Sequence, residues 1–258
     1  MRVLDKNQLA LRDFVLHQAD NTLILAQRLC AWCGHGPVLE QDIALSNIAL
    51  DLLGQAHHYY DYAANLTGGG ATADTLAMLR PERAYKNLLL VELPNGDFGQ
   101  TVARQFFFDA YHVLFLEQLN KHAQDLMLRA IAEKSLKEAK YHLRWSSEWM
   151  IRLGDGTDES HRRMQNAVDL LLPYVGEFFL LADYQEELIA AGVLADPRDF
   201  QSSWSAHVEE ILSEARLEAN LQQAPMQHGG KQGIHTEHMG YLLTELQYMQ
   251  RTYPGLNW

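Results

Sequence analysis

The chain has 258 residues, enough for one large helical domain with its own buried core. Apolar residues make up 47% and charged residues 21%, a globular composition, and the formal net charge of −12 repels phosphate backbones and anionic lipid, which excludes nucleic acid and membrane surfaces as partners. No apolar stretch follows the basic residue in 1–6, and the longest apolar run, 168–182, is interrupted by Asp169, Pro173, Gly176 and Glu177, so a secretory leader and a membrane span are not expected and the predicted location is the cytoplasm.

Helical periodicity runs through most of the chain. A first helix is predicted over about 8–33, stopped by Gly34-His35-Gly36-Pro37, and a second over about 40–66, stopped by Gly68-Gly69-Gly70. Cys30 and Cys33 form a C-x-x-C at the end of the first helix. It lacks the preceding strand of a redox motif, the following histidine of a haem site and the further ligands of a zinc site, and it reads as two small apolar residues. A short helix near 74–79 leads into a loop over 80–98 with Pro81, Pro94 and Asn95-Gly96. Two more long helices follow at about 99–129 and 132–153, then shorter ones at about 159–175, to about 191, from Pro197 to about 221, and at 237–251 after the glycine-rich 228–233.

A helix of about 25 residues spans nearly 40 Å. Four of that length, paired as two hairpins across the long 68–98 crossover, describe an all-α, ferritin-like four-helix bundle with additional C-terminal helices, in one domain over 1–258.

Acids inside apolar stretches are the informative chemistry. Asp51 sits in Asn47-Ile-Ala-Leu-Asp-Leu-Leu-Gly54 and Asp109 in Phe106-Phe-Phe-Asp-Ala-Tyr-His112, and a carboxylate buried there costs several kcal/mol without a cation, metal or donor. Di-iron bundles take a Glu from one helix of each hairpin and Glu-x-x-His from the other. Asp20 precedes Asp51 by 31 positions and Asp109 precedes Glu138 by 29, as two related halves would arrange them. The histidines then fail: Gly54 stands three after Asp51, and Tyr141 three after Glu138. Three of the four acids are the shorter Asp. The template is dismantled, leaving two alternatives for the acids. An irregular metal site would use Asp51, Asp109, His112, Glu138 and His142. Otherwise the acids pair with bases such as Arg28, Lys140 or Arg144, or hydrogen-bond Tyr141 and the histidines.

Trp-Cys-Gly-His at 32–35, Ile-Ala-Leu-Asp-Leu-Leu-Gly-Gln-Ala at 48–56, Pro-Asn-Gly-Asp-Phe at 94–98, Lys-Glu-Ala-Lys-Tyr-His-Leu-Arg at 137–144, Leu-Gly-Asp-Gly-Thr-Asp at 153–158, His-Thr-Glu-His-Met-Gly at 235–240 and Glu-Leu-Gln-Tyr-Met-Gln-Arg at 245–251 follow one another in an order that carries a resemblance. Nearly end to end, residues 1 to about 7 excepted, the chain resembles the non-catalytic, ferritin-like C subunits of the ring-1,2-phenylacetyl-CoA epoxidases, multicomponent monooxygenases of phenylacetate catabolism. The resemblance implies a structural subunit with no cofactor and no activity of its own. It implies a partner subunit whose di-iron centre oxidises phenylacetyl-CoA, and a flavin and iron–sulfur reductase that supplies electrons. Asp20, Asp51, Gly54, Asp109, Glu138 and Tyr141 would then be vestigial ligand positions, whereas the alternative remains an autonomous di-metal carboxylate oxygenase.

Weaker signals complete the reading. Arg80, Arg83, Tyr85 and Lys86 crowd the crossover loop. Arg83, Tyr85, Lys86 and the adjoining Asn87 are candidate contacts to a coenzyme A ester at the subunit interface, against the plainer reading of a solvated loop. His235-Thr236-Glu237-His238 reads either as a metal or phosphate cluster or as the cap of the last helix, and 229–233 lacks the strand and spacing of a P-loop. Trp145, Trp149 and Phe106 to Phe108 would line a substrate cavity or, more simply, pack the core or an interface.

Overall fold

The computed structural model describes residues 5–221 and 226–256; Met1 to Leu4, part of the stretch read for a leader, lie outside them. Among the described residues are ten α-helices and no strand: α1 (Lys6–Cys30), α2 (Leu39–Thr67), α3 (Ala73–Met78), α4 (Leu89–Glu92), α5 (Phe98–His122), α6 (Leu126–Gly154), α7 (Asp158–Val175), α8 (Asp183–Ala190), α9 (Gln201–Glu214) and α10 (Glu237–Thr252). No helix among these residues is long and apolar enough to cross a membrane.

Local chemistry sets the helix ends. Asp5 opens α1 with a capping box, accepting from the Gln8 backbone N–H at 2.8 Å while Gln8 Oε1 accepts from the Asp5 N–H at 3.2 Å. Gly68, Gly69 and Gly70 stop α2 with φ of 67°, 64° and 85°, a run that side chains with a Cβ resist. The largest departure from the sequence reading lies between α5 and α6. Asp125 caps the Leu128 N–H at 2.9 Å, so α5 ends at His122 and α6 begins at Leu126. The apolar pattern continues across that break, which hid it. The loop expected over 80–98 contains α4 and a 3-10 turn at Glu82–Ala84.

The chain forms two compact units. One comprises Met1–Pro94, Leu181–Ala191 and Gly229–Trp258, and the other Asn95–Leu180 and Gly192–His228. In the first, α1 and α2 pack along their lengths as a hairpin. Helices α4 and α8 lie on α1, α3 on α2, and α10 on α3 and α4. In the second, α5 and α6 form the hairpin, with α7 and α9 against both.

Aromatic packing fills the second unit. Phe106, Phe107 and Phe108 are fully buried, Tyr111 stacks on Phe178 at 4.7 Å, and Trp204 packs between Phe179 at 5.5 Å and Phe178 at 5.8 Å. Phe98 meets Trp149 edge-on at 5.4 Å. These residues form a core, in the offset and edge-to-face geometries that aromatic rings favour.

Candidate functional site

Among the four template acids, Asp20 is fully enclosed in the first unit. Its carboxylate accepts from Tyr60 Oη at 2.5 Å, from the Lys86 backbone N–H at 2.8 Å and from both terminal nitrogens of Arg80. The guanidinium itself is fixed by the Leu76 carbonyl at 2.5 Å, the Ala84 carbonyl at 2.7 Å and the Tyr85 ring, whose centroid lies 4.2 Å from Cζ. Burial first, and the Asp20 charge second, push the Tyr60 phenol well above its ordinary pKa, so it stays a donor to the carboxylate. Every strong acceptor direction on Asp20 is therefore met by a donor from this chain.

Two neighbours of Asp20 on α1 complete the anchoring of the crossover. His17 is buried, and desolvation, aided by the Lys231 charge, lowers its pKa to about 3. The ring is neutral, with Nδ1–H donating to the Lys86 carbonyl at 2.6 Å and Nε2 3.4 Å from the Asn21 amide nitrogen. Asn21 Oδ1 accepts the Leu88 N–H at 2.7 Å. A polar row on one helix thus satisfies the backbone of a segment that has little regular structure of its own.

A second buried carboxylate, Glu92, passed unnoticed in the sequence. Glu92 accepts from Asn87 Nδ2 at 2.8 Å, from the Thr236 N–H at 2.6 Å and from His235 Nδ1 at 2.8 Å, while His235 Nε2 lies 3.1 Å from the Tyr85 carbonyl. Burial works against the charged form of His235, but Glu92 outweighs it and raises the pKa. The signal was present: Glu92 interrupts Leu88-Leu-Leu-Val-Glu-Leu93 just as Asp109 interrupts its phenylalanines. His235 is thereby an ion-pair partner, and Thr236 caps α10 through the His238 N–H at 3.4 Å.

The glycine-rich loop is explained by the same anchoring. A Cβ on Gly230 would stand 2.1 Å from the Asn87 carbonyl oxygen, and one on Gly233, where φ is 76°, would stand 2.2 Å from that of Arg83. The loop lies directly on the crossover backbone, and only glycine allows that approach.

In the second unit Asp109 is buried and accepts from Gln105 Nε2 at 2.7 Å and Ser146 Oγ at 2.9 Å. Desolvation pushes its pKa up to about 7, against the lowering effects of nearby His142 and these two donors. His112, stacked on Phe108 at 5.0 Å, is lowered to about 3 by burial and then by the His142 charge.

The remaining template residues fall on a different register. Asp51 and Glu138 are half-buried, and Gly54 and Tyr141 are exposed. In both helices the buried pair at i, i+3 spacing lies one residue later, as Leu52 with Gln55 and Ala139 with His142. The near-equal sequence separations matched the acids, but of two adjacent residues the apolar one turns inward. The base assignments change as well. Asp20 pairs with Arg80, whereas Arg28 donates to the Glu92 carbonyl oxygen at 3.1 and 2.5 Å, Lys140 pairs with half-buried Glu117 at 2.7 Å, and Arg144 lies over Tyr141. Among the described residues no three of His, Cys, Asp and Glu are grouped to hold a metal ion. The two-fold Glu and Glu-x-x-His donor set that a di-iron cluster takes is not assembled among the described residues.

The four residues expected to meet a coenzyme A ester are divided. Arg83 is exposed and Lys86 half-buried, its Nζ 3.5 Å from Asp13 Oδ2. Tyr85 and Asn87 are fully buried: Tyr85 Oη bonds the Ala77 carbonyl and Gln247, and Asn87 bonds Glu92. Tyr85 and Asn87 hold the crossover in place and present nothing to solvent.

Two long helical hairpins with acids set inside them, and those acids engaged by protein donors, define an all-α protein of the ferritin-like class. The chain belongs to the phenylacetic acid catabolic protein family, whose model matches residues 2–258. It is 48% identical over 245 residues to the Escherichia coli (strain K12) protein named as the C subunit of 1,2-phenylacetyl-CoA epoxidase, covering 95% of this chain and 98% of that one.

Proposed function

We propose that this chain is the metal-free structural subunit of the oxygenase component of a phenylacetyl-CoA epoxidase, working in the cytoplasm beside a catalytic di-iron subunit that it pairs with and stabilises. Electrons would reach that partner from a flavin and iron–sulfur reductase. The similarity to the E. coli protein supports the substrate and the multi-subunit setting.

The observation that carries the metal-free role is the Asp20 carboxylate. A ligand acid must offer lone pairs to a cation, but Arg80, Tyr60 and the Lys86 N–H already take them. An iron entering here would have to displace a buried guanidinium.

Elemental analysis of the chain purified alone and as its co-purified complex tests this reading. The expected result is no stoichiometric metal in the isolated chain and about two irons per catalytic partner in the complex. Stoichiometric iron in the isolated chain, lost on Asp109→Ala, would overturn it and revive an autonomous di-metal enzyme.

A further inference from the structure

The C-x-x-C at the end of α1 has no part in the buried networks or in the role proposed above. Both thiols are free and exposed. Cys30 is the last residue of α1, and the backbone tightens from there through Cys33. The Trp32 N–H donates to the Leu29 carbonyl at 2.9 Å, the Cys33 N–H to the Cys30 carbonyl at 3.1 Å, and the His35 N–H to the Trp32 carbonyl at 2.8 Å. Ala31, between the cysteines, has φ −65° and ψ −14°. The two bonds accepted by Leu29 and Cys30 are i to i+3 bonds of the 3-10 type, a turn in which side chains three residues apart eclipse one another.

That geometry bears directly on the pair. One turn of 3-10 helix advances about 6 Å, a separation within the roughly 4.4–6.8 Å between Cα atoms that a disulfide spans, so a turn closed by the Cys33 N–H on the Cys30 carbonyl suits the bridge. No other cysteine exists in the chain to compete for either.

We propose that Cys30 and Cys33 are a site of reversible oxidation, a vicinal dithiol that a hydroperoxide converts to an intramolecular disulfide. One thiolate attacks the peroxide, the O–O bond breaks, and a sulfenic acid forms as the alcohol or water leaves. The second thiolate attacks that sulfur, the S–S bond forms and water departs. Two thiols lose two electrons and two protons, and the peroxide gains both, so thiols and hydroperoxide give disulfide, alcohol and water. A dithiol reductant reverses the step by exchange. The product closes the last turn of α1 just ahead of the link to α2, a surface position where the change needs no repacking of the core.

The test uses the full chain, hydrogen peroxide near stoichiometry, alkylation of remaining thiols and intact mass measurement. The expected result is joint loss of both thiols, a mass lower by two hydrogens, a chain that stays single on non-reducing gels, and full recovery with dithiothreitol. Cys30→Ser and Cys33→Ser, both at exposed positions that leave the fold intact, should instead gain oxygen atoms or cross-link between copies. Wild-type protein that gains oxygen atoms or cross-links at the rates of these two variants would overturn the proposal. So would thiols that disappear one at a time.

Discussion

Removing the Arg80 guanidinium leaves the Asp20 carboxylate buried without a countercharge, while Tyr60 and the Lys86 N–H remain as its only donors. Arg80→Ala should cost about 3–5 kcal/mol, read as a lowered urea midpoint. The double variant Asp20→Asn with Arg80→Met should recover most of that loss, because Asn still accepts from the Lys86 N–H and no charge is stranded. Asp109 behaves in the opposite sense. Its pKa is raised from the ordinary 3.8 to about 7, chiefly by desolvation, so the folded state holds a proton that the unfolded chain releases. The stabilisation is complete below the unfolded value and is lost as pH rises through the folded one. The stability of wild type relative to Asp109→Asn should therefore fall from about pH 4 to about pH 7 and level off above, measured as paired urea midpoints across that range. At this scale the sequence exposed Asp51 and Asp109 as acids needing a reason, and of the two only Asp109 is buried; Asp20 entered through its spacing to Asp51. The sequence could not supply the partners, since Arg80 stands 60 residues from Asp20 and Ser146 stands 37 from Asp109.

Helices in this chain are held by caps and by what lies against them, and two glycines separate these effects. Gly54 sits inside the 29-residue α2, and a Cβ there would meet nothing within 4 Å. Gly54→Ala should stabilise the isolated chain by about 0.5–1 kcal/mol, the difference in helix propensity, visible as a higher denaturant midpoint. Gly233→Ala places a Cβ against the Arg83 carbonyl at a positive φ, so it should destabilise by about 1–3 kcal/mol in the same measurement. Periodicity made most helices legible, because the interior of a long amphipathic helix repeats its pattern many times. Boundaries were less so. Asp125 restarts α6 inside a stretch that still reads as helical, and the helix predicted from Pro197 to about 221 stops at Glu214, just before Arg216 takes a left-handed φ of 56°. Facing was the subtler loss: a shift of one residue moved Asp51 and Glu138 off the buried face and put Leu52 and Ala139 there.

The sequence by itself determined the all-α class, the two long hairpins, the acidic surface and the family, since each follows from composition, from repeated spacing or from motifs in order along the chain. Only the tertiary structure decided what the internal carboxylates do. Asp20 is bound to the crossover through Arg80 and the Lys86 N–H, and Glu92 to the C-terminal segment through His235 and the Thr236 N–H. Residues that looked like a substrate cluster, Tyr85 and Asn87, became the fasteners of that crossover. The physical reason is one of range. Helical periodicity is a local property that a chain displays over any ten residues. The cost of burying a charge is settled by whichever donor the fold brings within hydrogen-bonding distance, and the separation along the chain does not enter.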